Sequence, residues 1–149
     1  KNIHIIGVAG RSLCGLINAA KSMGLNWKFT GVTVNYDVPL SDYIFQHSKD
    51  IQEILGLPVT FEENDMQVLD QYVGEGYGVM TPQVAEAIHT AAQTDAIICD
   101  PNYTGTVMAA LIDQVEEGAF DNDETIIFLH TGGLPAIFAF ADQLANFKA

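Results

Sequence analysis

The strongest constraint on the fold is a layout that occurs three times: a short apolar run, a turn built on glycine or proline, and a stretch of helical spacing. The first unit runs through residues 3–7, turns at Gly7-Val8-Ala9-Gly10-Arg11-Ser12 and continues over residues 13–23. There Leu13, Leu16, Ile17 and Ala20 share one helical face. The second is centred on Asp100-Pro101-Asn102-Tyr103-Thr104-Gly105, between an apolar run at 96–99 and an apolar helix at 107–115. The third joins residues 125–129 through His130-Thr131-Gly132-Gly133 to a helix over 135–144. Short apolar runs bounded by turn residues read as buried strands. Strands alternating with helices specify a mostly parallel sheet covered on both faces, built from right-handed crossovers. The expected fold class is therefore α/β: a three-layer α/β/α arrangement with a mostly parallel, doubly wound sheet, in a single domain over residues 1–149.

Between these units the spacing predicts a second strand over residues 27–34 and a helix opened by Pro39 and the N-cap Ser41. Ile44, Ser48, Ile51 and Leu55 form the inner face of that helix, which ends at Gly56 and Pro58. Residues 59–61 read as a short third strand. The acidic stretch 62–70 fits either a short helix or a strand, and 74–78 is a glycine-rich flexible loop. Thr81-Pro82 is an N-cap followed by an N1 proline, and starts a helix that buries Val84, Ala87, Ile88 and Ala91.

Charge narrows the function classes. Six basic and nineteen acidic residues give a net charge of −13, which argues against nucleic-acid and anionic-membrane partners. No apolar run approaches the roughly 18 residues of a membrane span, and the start does not read as a signal peptide. Cys14 and Cys99 fall inside predicted elements and make no disulfide framework, which points to a reducing, cytoplasmic setting. His4, His47 and His89 are scattered and imply no metal site. Residues 121–124 lack the calcium-loop pattern and read as a solvated turn.

Turns at the carboxyl ends of parallel strands share one crevice, where ligands bind in open α/β sheets. Gly10, Ser12, Tyr103, Thr104 and Thr131 are expected to line it. The first turn leads into a helix N-terminus, with free N–H groups and the positive end of the dipole. It reads either as a phosphate cradle to which Ser12 adds a hydroxyl, or as a tight turn that only closes a crossover. Its spacing, Gly7-x-x-Gly10-x-x-x-x-Gly15, is neither the dinucleotide fingerprint nor a P-loop. Taken alone, Tyr103 reads as a packing tyrosine. His130 is either a satisfied histidine or a chemical group, and Asp100 caps its own turn.

Asp-Pro-x-Tyr-Thr-Gly at 100–105, followed by His-Thr-Gly-Gly-x-Pro-Ala-Ile-Phe at 130–138, resembles the D-cysteine desulfhydrase and 1-aminocyclopropane-1-carboxylate deaminase family. Gly-Tyr-Gly-Val at 76–79 and the Gly-Leu ending at Leu16 match as well. These are pyridoxal-phosphate enzymes of the tryptophan synthase β fold (fold type II). The resemblance covers nearly the whole chain and corresponds to roughly the C-terminal half of such an enzyme, its large domain. It implies pyridoxal phosphate as cofactor, catalytic roles for Tyr103 and Tyr77, and cofactor contacts from Gly10, Arg11, Ser12, Thr104, Thr131 and Gly132. Thr131 matches the threonine that meets the pyridine nitrogen in the desulfhydrase branch. The deaminase branch has a glutamate directly after the motif tyrosine, where this chain has Thr104, so the desulfhydrase side is favoured.

Two departures accompany the matches. The family's Schiff-base lysine belongs to the half that this chain does not match. Lys1, Lys21, Lys28, Lys49 and Lys148 stand in no matching motif. In the phosphate loop, Val8 and Arg11 occupy positions where the family tends to have glycine, and Ser12 replaces a threonine. Val8 would hinder close approach, whereas Arg11 would bring charge to a phosphate. The expected function is accordingly a truncated relative, inactive alone, with its phosphate or pyridoxal-phosphate pocket either kept or lost. The alternatives are a half-enzyme completed by another segment or chain, and a non-catalytic binding or assembly module. The expected ligand is phosphate or a small amino-acid-like molecule, and the exposed crevice implies a homodimer.

Overall fold

The structure, a computed structural model, describes residues 2–35 and 40–147, with only the backbone of residues 40 and 41. Four strands, β1 (Asn2–Val8), β2 (Lys28–Val32), β3 (Gln67–Leu69) and β4 (Glu124–Phe128), form one all-parallel sheet in the order β3-β2-β1-β4. The helices are α1 (Arg11–Ser22), α2 (Leu40–Leu55), α3 (Pro82–Asp95), α4 (Thr104–Glu116) and α5 (Ala141–Asn146).

The alternation of side chains along β1 builds the three layers. Ile5, level with Phe29 of β2, points to the face covered by Leu13, Cys14 and Ile17 of α1 and Ile44 of α2. Ile6 points to the other face, where it meets Val32, Leu69 and, from α4, Val107 and Ala110. Outside α4, α3 packs through Val84, Ile88 and Ala91 against Met108 and Leu144. Ile6, Leu13, Ile17, Val32 and Val107 are essentially inaccessible; burial of each such side chain contributes about 1.5–3 kcal/mol.

The expected three-layer parallel fold is present, as are three of the four principal strands. Thr81 Oγ1 accepts from the Val84 N–H at 3.2 Å and caps α3 as expected. Residues 96–99, read as the core strand, form no strand. Ala96 closes α3 in the left-handed region at φ 56°, no strand of the sheet pairs with this segment, and Ile97 and Ile98 are left exposed. Residues 59–61 are likewise not a strand; the third strand is β3, behind a 3-10 turn at Glu63–Asp65. Leu55 faces solvent rather than the core. The helix expected over 135–144 is divided into a 3-10 segment, Leu134–Phe140, and α5. Pro39 and the side chain of Ser41 lie outside the described residues.

Candidate functional site

A cavity of about 590 Å³ opens at the carboxyl ends of the strands, within the usual range for small-molecule sites. Val8, Ala9, Gly10, Arg11 and Ser12 come to it from the turn between β1 and α1. Tyr77, Tyr103, Thr131 and Gly132 come from three later loops. Asn35 and Tyr43, which sequence reasoning did not single out, also line it. Tyr43 stands on the inward side of α2, and no motif marks that position.

The first turn presents donors. Gly10 is the extended N-cap of α1 and makes no side-chain cap. The first intrahelical bond is Cys14 N–H to the Gly10 carbonyl, 3.0 Å, so the N–H groups of Arg11, Ser12 and Leu13 precede it. They carry the positive end of the helix dipole. A methyl group built on Gly10 would meet nothing nearer than Val8 at 3.9 Å, and one on Gly132 nothing within 4 Å. Both glycines therefore border open space.

The second turn is held by a single carboxylate. Asp100 is fully buried. Its Oδ2 accepts from the N–H groups of Asn102 and Tyr103, each at 2.9 Å. Its Oδ1 accepts from the N–H and the hydroxyl of Thr104, each at 2.8 Å. The Thr104 hydroxyl in turn accepts the Asp100 N–H at 2.8 Å. Thr104 is thus consumed by the turn and does not line the cavity, contrary to expectation: a hydroxyl bonded at both ends inside a fully buried turn has nothing left for a ligand. The same carboxylate packs closely against the third turn. Gly133 has φ 107°, and a Cβ there would stand 2.7 Å from Asp100 Cγ. His130 donates from Nε2 to the Ile98 carbonyl at 2.9 Å, which makes it a satisfied histidine.

Across the cavity the hydroxyls of Tyr77 and Tyr103 share a hydrogen bond of 2.5 Å. This bond, with burial behind it, pushes the Tyr103 phenol up to about 12. Near neutral pH it therefore carries its proton and can donate, but is no base. Among the described residues no lysine lines the cavity. Lys21 pairs with Asp65 at 2.5 Å, Lys28 with Glu124 and Asp121, and Lys49 with Glu53. Lys1 and Lys148 lie outside the described residues. No helix among the described residues is long and apolar enough to cross a membrane.

The arrangement suits a small ligand with an anionic group at α1 and a polar ring or chain reaching Thr131 and the two tyrosines. A family profile described as pyridoxal-phosphate dependent enzyme matches residues 4–132. The D-cysteine desulfhydrases of Salmonella newport (strain SL254) and Salmonella heidelberg (strain SL476) are each 39% identical over 89 residues, which is 60% of this chain and 27% of the relative. The crystal structure of an ACC deaminase homologue superposes with a TM-score of 0.83 at 26% identity, over 97% of this chain and 44% of that one. The chain thus spans less than half the length of the relatives it matches.

Proposed function

The chain belongs to the family of pyridoxal-phosphate dependent enzymes, and on that premise we propose that its cavity is the cofactor-facing half of a D-cysteine desulfhydrase-type site, with the lysine supplied by polypeptide outside these 149 residues. One observation carries the reading. The α1 N-terminus, the Tyr77–Tyr103 hydroxyl pair and Thr131 converge on one cavity that no described lysine enters.

The residues present fit the cofactor. Three free N–H groups, the Ser12 hydroxyl and the Arg11 guanidinium form a donor set for a phosphate. Gly132, bare of side chain, borders open space that would take a flat ring, and Thr131 would offer that ring a neutral hydroxyl. When bound, pyridoxal phosphate supplies an electron sink for negative charge at the α-carbon of an amino acid. Tyr103 holds a proton at its phenol oxygen on the cavity wall, where it would be available to a bound amino acid, and Tyr77 hydrogen-bonds that oxygen. Asp100 sets the backbone that presents Tyr103 and packs against Gly133 of the loop that presents Thr131.

A dimer belongs to the same proposal, supported by the exposure of Ile98 (48%) and Phe138 (82%); light scattering measures it. The cavity reading is tested by recording backbone amide chemical shifts during titration with pyridoxal 5′-phosphate. Saturable shifts concentrated at residues 10–13, 77, 103 and 131–132 are expected. Shifts confined to other faces would overturn the assignment.

A further inference from the structure

Arg11 stands at the first position of α1, where the helix dipole disfavours a cation. The first turn holds no acidic residue to offset it. The chain has nineteen acidic residues, yet Arg11 has no ion pair among the described residues. It is also the sole charged residue among those described as lining the cavity. Its Nε instead donates to Nε2 of His47 at 3.3 Å. An arginine placed at the wrong end of a dipole and bonded to a neutral acceptor keeps its positive charge uncompensated. That arrangement becomes favourable when an anion enters the cavity.

His47 is itself held. Its ring meets the Tyr43 ring edge-on at 4.2 Å, and Tyr43 is a cavity-lining residue. Accepting at Nε2 places the imidazole proton on Nδ1, which lies 3.8 Å from Asp50 Oδ2. Residues of α2 thereby fix the guanidinium at the mouth of the first turn. We propose that Arg11 and His47 form a phosphate clamp: Arg11 contacts the phosphate of the ligand, and His47 is the positioning residue that holds Arg11 over it. The clamp rests on the reading of the cavity as a pyridoxal-phosphate site, and adds to its donor set the residue that positions the guanidinium.

The experiment is a double-mutant cycle by isothermal titration calorimetry on the whole chain. Pyridoxal 5′-phosphate, pyridoxal and inorganic phosphate are the three probes. Arg11→Gln is expected to weaken pyridoxal 5′-phosphate about tenfold or more, the effect of losing a charge-assisted hydrogen bond. His47→Ala should weaken it severalfold, and His47→Gln, whose carbonyl still accepts from Nε, should restore binding to within about twofold. The double variant R11Q/H47A should bind no more weakly than R11Q alone. Pyridoxal should not respond to any of the changes. Additive losses, or equal losses for pyridoxal, would overturn the clamp while leaving the cavity reading intact. Coupling seen with inorganic phosphate, together with no binding of pyridoxal 5′-phosphate, would uphold the clamp and overturn the cofactor reading. Phosphate binding without coupling would overturn the clamp.

Discussion

Replacing Asp100 with asparagine changes one atom and should unfasten the turn at 100–104. In the native turn Oδ1 serves the N–H and hydroxyl of Thr104, and Oδ2 serves the N–H groups of Asn102 and Tyr103. An asparagine oxygen can keep only one of these pairs. Its amide nitrogen must face the other two donors, where it cannot accept. Losing two charge-assisted bonds at half-buried N–H groups costs about 1 kcal/mol each after allowance for solvent. Removing the negative charge from the α4 N-terminus costs a further ~0.3–1 kcal/mol. The expected destabilisation of Asp100→Asn is therefore about 2–3 kcal/mol, or roughly 5–10 °C in melting temperature for a chain of this size. Urea unfolding followed by circular dichroism measures the first quantity and a thermal melt the second. A loss below about 0.5 kcal/mol would refute the claim that this carboxylate holds the turn.

Two further outcomes follow from particular contacts. Gly133→Ala drives a methyl group to 2.7 Å from Asp100 Cγ in a left-handed backbone. It should cost about 2–4 kcal/mol in a thermal or urea melt; full tolerance would contradict the packing of Asp100 on this loop. His4 on β1 is buried, with Nε2 2.8 Å from Thr30 Oγ1, and burial lowers its pKa from the ordinary 6.5. Below that value the unfolded chain takes up a proton that the folded chain resists, so stability should fall as pH drops through about 6.5. His4→Gln should flatten that part of the profile of melting temperature against pH, and an unchanged slope would exclude His4 as its source.

The sheet and most of the residues that line the cavity were legible because their signals are local. Apolar runs at β1, β2 and β4 stop at turn residues, and Thr81-Pro82 announces α3. Residues 96–99 look as much like a strand as β1 does, but strand formation needs a neighbour's backbone, and periodicity does not supply one. Thr104 shows the same limit from the other side. Its place in the motif suggested a ligand contact, whereas its hydroxyl is committed to Asp100 four residues earlier. Tyr43 escaped notice, and His47 reads only as one of three scattered histidines, because α2 reaches the cavity through tertiary packing, which no spacing in the sequence records.

The central claim is that this chain carries the cofactor-facing half of the site without its lysine. It is tested most directly by mixing the chain with one equivalent of pyridoxal 5′-phosphate, reducing with borohydride, and measuring the intact mass alongside sulfide release from D-cysteine. The account predicts an unmodified mass and no sulfide, with binding seen only as a reversible absorbance change. A stoichiometric adduct at one lysine, accompanied by sulfide release, would contradict it.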